Sequence, residues 1–189
     1  MKTVDKILKI HLPKPKFKIL DVIAKRWSPR HYLDENIPQE HINQMIEAAR
    51  WTPSGHNLEP WYFYYAQKPD KGYEKLEDCL SEYNHRWAKS APLLIVACED
   101  QSEESQYGKY DLGAAVYALV LQAHALGYHC RQMALFNHER VREIVKRHHE
   151  PYIIIAVGKL GDYEKAEEHI IRYEIDPRPR KESIVEELD

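Results

Sequence analysis

Two short basic arrays stand near opposite ends of the chain. Arg26, Ser28 and Arg30 alternate at i, i+2 and i+4, a spacing that in extended backbone points all three side chains the same way. Arg178, Arg180 and Lys181 repeat the theme close to the C-terminus. Guanidiniums supply paired N–H donors and a serine supplies a short O–H donor, which together suit a phosphate monoester. Either array alone also reads as a solvated charge patch. A third segment, Pro53-Ser54-Gly55-His56-Asn57, joins Ala48-Ala49-Arg50-Trp51 to the aromatic run Trp61-Tyr62-Phe63-Tyr64-Tyr65. Proline fixes φ, glycine admits φ > 0, and serine and asparagine bond over short range. Such a loop offers backbone N–H groups and short polar side chains to something outside it.

The motifs of self-sufficient catalysis are missing. The sequence holds no Walker loop, no GxGxxG, no GxSxG, no HExxH and no His-x-His. Among eleven histidines only His148 and His149 are adjacent. That pair reads as exposed side chains at a helix end, near its negative dipole, and no metal is expected. No carboxylate pair is marked by its surroundings. With no acid, base or nucleophile in view, the chemistry falls to a bound cofactor.

The elements that must position these residues follow from hydrophobic spacing. Ile19, Leu20, Val22 and Ile23 form a short helical stripe, and Ile42, Met45, Ile46 and Ala49 a second one behind Pro38. Residues 61–66 read as a strand by aromatic density. Residues 69–88 read as a polar helical region with Tyr73, Leu76, Leu80 and Tyr83 on one face. Residues 93–98 are continuously apolar, as in a strand buried on both faces. The longest predicted helix spans 107–127; its middle, residues 114–121, is apolar all round and asks for cover by another subunit, and Gly127 ends it. A short segment covers 130–136, Asn137 caps a helix over 139–148, and 152–157 is the last strand. Helices interleaved with three or four strands imply a layered α/β or α+β sheet with helices on its faces.

Composition sets the outer bounds. The 189 residues are 43% hydrophobic and 30% charged, with a net charge of −3, which fits one globular domain and no global attraction to nucleic acid or an anionic membrane. Cys79, Cys98 and Cys130 are far apart and odd in number, as free thiols in a reducing compartment would be. No apolar run approaches a membrane span, so a cytoplasmic location is expected. Residues 1–18 form a basic, proline-broken arm without a signal-peptide core, whose Val4, Ile7, Leu8 and Leu12 are expected to lie on a partner subunit. Residues 19–175 form a single domain and 176–189 a polar, proline-bearing extension.

Taken in order, Arg26-x-Ser28-x-Arg30, then Ala48-Ala49-Arg50-x-x-Pro53-Ser54-Gly55-His56-Asn57-x-x-Pro60-Trp61, the helix ended by Gly127, and Arg178-x-Arg180-Lys181 resemble the nitroreductase family of FMN-dependent oxidoreductases. The likeness runs over residues 19–180. It implies an α+β layered sheet with helices on both faces, in an intertwined homodimer with two FMN sites at the interface. It also implies hydride transfer from NADH or NADPH through the flavin to a nitroaromatic, quinone or similar small acceptor, in ping-pong order. By position, Arg26, Trp27, Ser28 and Arg30 would bind FMN from one subunit. Arg26 and Ser28 would serve the phosphate and ribityl chain, and Arg30 would lie nearer the pyrimidine edge. Arg180, with Arg178 as second candidate, would complete the phosphate clamp within the C-terminal extension. Pro53, Ser54, Gly55 and Asn57 would reach the same flavin from the other subunit, and Arg86 would contact the ring.

The sequence departs from that pattern in places. Trp27 stands where a basic residue or histidine is usual, and Glu59 where glutamine is common. The segment Cys130-Arg131-Gln132-Met133-Ala134-Leu135 has no glycine where relatives bring a backbone N–H toward flavin N5. Little sequence separates Ala66 from Gly108, which implies a short lid and an open site. These departures motivate an alternative with the same fold and flavin but specialised chemistry, dehalogenase-like or flavin-destroying. A dimer that binds a phosphorylated ligand without reaction is a third reading.

Overall fold

Six consecutive side chains, Leu93 to Cys98, are fully buried, and the architecture is what covers them. The computed structural model describes residues 2–102 and 104–188. Four strands, β1 (Trp61–Gln67), β2 (Leu93–Asp100), β3 (His129–Met133) and β4 (His149–Gly158), form one sheet in the order β1-β2-β4-β3. Every neighbouring pair is antiparallel. Alternate residues of a strand face opposite sides. Leu93, Ile95 and Ala97, with Ile155 and Val157 of β4, therefore pack under α3 (Gln39–Arg50) and α6 (Gly108–Ala125). Leu94, Val96 and Cys98, with Ile154 and Ala156, enter a second core on the other face. That core draws on α1 (Thr3–Ile10), α4 (Lys71–Glu77), α5 (Glu82–Ala88), α7 (His138–Ile144) and α8 (Glu168–Glu174). The fold is thus α+β with helices on both faces, and the doubly buried run belongs to an antiparallel sheet.

Several elements differ from expectation, each for a visible reason. The N-terminal arm packs in part on its own chain: Ile7 is buried in the second core with Val4 against it, and the Thr3 N–H donates to Glu164, whereas Leu8 and Leu12 stay exposed. The 69–88 region is two helices, because Leu80 bridges Phe136 between them and Ser81 caps α5 by accepting from Asn84 N–H. Asn137 caps α7 as expected, through Arg140 N–H, but that helix stops at Ile144. His148 consequently lies exposed in the turn before β4, and His149 opens that strand, buried rather than exposed at a helix end. A short helix, α2 (Asp21–Lys25), leads into the first basic array.

Helix α6 runs almost as predicted, and Gly127 follows it with φ = 86°, a left-handed value that glycine takes without strain. One side of it buries Leu112, Ala115, Val116, Leu119, Val120 and Ala123. The other leaves Tyr110 and Tyr117 exposed beside Gly113. Among the described residues no helix is long and apolar enough to cross a membrane. Leu119→Ala should cost about 2–5 kcal/mol, as large-to-small changes in packed cores do; a urea unfolding midpoint equal to that of the unmodified protein would contradict the central place of α6.

Candidate functional site

The first basic array leaves α2 in extended backbone, and Arg26 Nη1 donates to Ser28 Oγ at 3.1 Å, so those two side chains do share a side. Arg30 turns toward α8. Its backbone N–H donates to Glu174 Oε1 at 2.8 Å, its guanidinium lies 3.8 Å from the same carboxylate, and its Cζ sits 4.6 Å over the Tyr173 ring. Arg131, on β3, reaches into the same region: it donates to the Ser28 carbonyl at 2.5 Å and stacks 5.3 Å over Trp87. Arg178 donates to the carbonyls of Arg26, Ala24 and His11. Its guanidinium is thereby committed to fastening the start of the array and the chain that leads into it. Arg180 donates only to the neighbouring carbonyls of Arg178 and Pro179 and is exposed.

The remaining members lie at the edge of this group. Arg86 is exposed and paired with Glu82 at 2.5 Å along α5. One turn earlier Tyr83 meets Tyr173 edge-on at 6.0 Å, which sets Arg86 beside the region rather than inside it. Trp27 is 5% exposed, stacked on His11 at 3.9 Å and edge-on to His129 at 6.0 Å. Its indole is scaffold, and only its backbone is left to face a ligand.

The region is strongly cationic. Burial first, and then the neighbouring Arg30, lower the pKa of Arg131, yet a guanidinium stays charged. Burial lowers His129 to about 4 and also lowers His124, so both rings are neutral at neutral pH. Burial raises Glu174 to about 7 against the pull of Arg30, so the carboxylate among these arginines only partly offsets them. Arg30 Nε, His124 Nδ1 and His129 Nδ1 are buried without a hydrogen-bond partner. Native interiors rarely leave polar atoms so, and an anionic ligand brought here would accept from such donors.

The Pro-Ser-Gly loop forms a 3-10 turn, Gly55–Asn57, with His56, Asn57 and Glu59 all at positive φ. Buried Asp111 on α6 accepts from Gly55 N–H at 3.0 Å, and Ser54 Oγ accepts from Glu59 N–H at 3.0 Å. A Cβ at position 55 would meet Tyr107 Cδ2 at 2.9 Å, so a larger residue there would have to displace the Tyr107 ring. The Glu59 carboxylate accepts from Asn57 Nδ2 at 3.4 Å and so faces back into the loop. Pro53 and Asn57 are exposed, with Ser54 and Gly55 half-buried between them.

Helix α6 separates these two halves. Its first turn holds the loop through Asp111, whereas His124, in its last turn, feels Arg26 and Arg178. Thirteen residues of α-helix between those positions correspond to about 20 Å. Within one chain the arginines and the loop stand apart. Arg131, Glu174 and the His124–His129 pair were not singled out from sequence. Arg131 carried one signal, a long cation amid the buried residues of a short strand; Glu174 carried none, since its burial depends on α8 docking.

The fold and this geometry define an α+β protein with a cationic cradle and a separate polar loop packed on α6. A family model described as the nitroreductase family matches residues 23–84. A protein of Methanothermobacter thermautotrophicus, named for NADH dehydrogenase or NAD(P)H nitroreductase activity, is 29% identical over 76% of this chain and 78% of its own length. The crystal structure of an FMN-containing oxidoreductase superposes with a TM-score of 0.84 at 28% identity, over 93% of this chain and 94% of that one. Rat iodotyrosine deiodinase 1 is 36% identical over 62 residues, which are 33% of this chain and 21% of that protein. The chain belongs to the nitroreductase family.

Two outcomes follow from the bonding around the arginines. Glu174 holds its proton better folded, near pH 7, than unfolded, near 4.5. The stability this confers is full below pH 4.5 and is lost as pH rises through about 7. Glu174→Gln should therefore gain on the unmodified protein across that window in pH-dependent unfolding and hold a constant difference above it; parallel profiles would refute the buried acid. Arg178→Ala should speed amide hydrogen exchange over residues 21–30 by at least about tenfold, the equivalent of losing 1.4 kcal/mol of local protection. Arg180→Ala should leave those amides unchanged.

Proposed function

We propose that this protein is an FMN-dependent oxidoreductase that passes hydride from NADH or NADPH to a small acceptor such as a nitroaromatic or quinone. We propose further that it works as a homodimer with each site built from both chains. The observation that carries the reading is the placement of the cradle and the loop at opposite ends of α6. A second copy laid along the uncovered Gly113–Tyr117 side of that helix would bring the loop of one chain to the cradle of the other.

The residues present suit FMN. Arg26, Ser28 and Arg131 offer charge and short donors for a phosphate, and the exposed Arg180 is available to close over it. Arg178 holds the array in place from behind. Arg30 presents an orphaned Nε in the same region, suited to the polar edge of a ring. Fixed cationic donors beside a ring that gains negative charge stabilise that charge without reorganisation. Pro53, Ser54, Gly55 and Asn57 would contribute backbone and short polar contacts from the partner chain, while Arg86 lies at the rim. FMN held by these residues would supply the hydride chemistry between the nicotinamide and the acceptor.

A second reading keeps fold and flavin and changes the acceptor to a halogenated aromatic. It is supported by the short match to iodotyrosine deiodinase.

Purified protein mixed with FMN should show a bound-flavin spectrum, weakened at least about tenfold in affinity by Arg26→Ala through loss of a charge-assisted contact. Anaerobic NADH or NADPH should bleach it, and a nitroaromatic or quinone should restore the colour. Release of halide from an iodotyrosine by the reduced protein, with no response to nitroaromatics, would favour the second reading. Absence of flavin binding would refute both.

A further inference from the structure

At the end of β2 and the start of β4, three metal-ligating side chains meet away from the cradle. Asp100, His148 and His149 each bring one ligand atom, and these atoms lie within 4.8 Å of one another. We propose that they form a binding site for one divalent transition metal ion, of which Zn2+ is the best match.

The sheet fixes the backbone of this cluster. Asp100 and His149 are directly paired in the antiparallel register, and Gln101 N–H donates to the His148 carbonyl at 2.8 Å. His149 is also held as a side chain. Its ring stacks on Tyr62 at 4.2 Å, and its Nδ1 lies 2.6 Å from the Tyr64 hydroxyl, which in turn accepts from Lys146 N–H at 3.1 Å. An oxygen partner on one ring nitrogen orients the other toward a metal, an outer-shell arrangement that tunes such sites. Here the other nitrogen, Nε2, points at Asp100 Oδ2 from 3.6 Å.

The spacing suits a metal. Bonds of about 2.0–2.2 Å in a tetrahedron place neighbouring ligand atoms roughly 3.4 Å apart. The Asp100–His149 pair already stands near that edge. His148 is exposed, with its ring centroid 4.3 Å from that of His149, so a side-chain rotation brings its nitrogen in. Two imidazoles and one carboxylate favour Zn2+, Co2+ or Ni2+ over Mg2+ or Ca2+. A fourth position remains for water, beside a cavity of about 290 Å³ lined by Asp100, Glu99, Glu104 and Ser105. Those carboxylates add to the attraction. The Lys146 ammonium, 5.4 Å over the Tyr62 ring, opposes it in part.

The ion would tie β2 to β4 just ahead of the segment that enters α6, whose first turn carries the Asp111–Gly55 bond. Binding would brace this strand pair, and the site stands apart from the flavin reading.

The test is calorimetric titration of untagged, chelator-treated full-length protein with Zn2+, with Co2+ absorption as a second probe. One Zn2+ per chain is expected, with a higher thermal midpoint on binding. His148→Ala and Asp100→Asn should each weaken binding by at least about tenfold, Tyr64→Phe by about 10–100-fold, and His85→Ala not at all. His148 is exposed, so its replacement leaves the fold intact. No Zn2+ binding, or binding that survives either His148→Ala or Asp100→Asn, would overturn the proposal and mark any uptake as adventitious.

Discussion

Burying β2 on both faces is the demand from which the rest of the molecule follows. A strand with six successive apolar side chains at zero exposure needs two cores, and an antiparallel sheet of four short strands cannot supply them alone. One face takes α3 and the long α6. The other is assembled from five shorter helices, two of them from the ends of the chain and three from its middle. The N-terminal helix and α8 are thereby brought to the same side, where His11 bonds the Glu174 carbonyl at 2.8 Å. That meeting gathers Arg26, Arg30, Arg131 and Arg178 at one place although they span most of the sequence.

Within this gathering the arginines divide their labour. Arg178 spends its donors on three carbonyls, and Arg30 is half engaged by Glu174 and Tyr173. A set of like charges held close would repel. The carbonyl dipoles and a partly ionised carboxyl reduce that repulsion without cancelling the net positive field. The group is thus bonded into the fold while keeping a net positive charge.

Much of this was legible in the residues. Three of the strands, the long helix ending at Gly127 and the tight loop were marked by local chemistry, β3 only as a short segment, and the alternation at Arg26 and Ser28 did place them side by side. What local chemistry cannot encode is docking. Ile7 looks equally able to face a partner or its own core. His148-His149 looked like a helix end because nothing before it marks the stop at Ile144. Glu174 resembles any helical glutamate until α8 packs, and Arg178 resembles a ligand-binding cation until three carbonyls converge on it.

Helix α6 also acts as a ruler. It joins the arginine group to the Pro-Ser-Gly loop, so their separation is counted in residues. One residue added or removed between Asp111 and His124 would turn one end against the other by about 100° and shift it by about 1.5 Å. In a symmetric pair the same error would enter twice, once from each chain. The length of this helix therefore bears on the placement of both its ends at once, whereas a change of side chain on its open face leaves that placement alone.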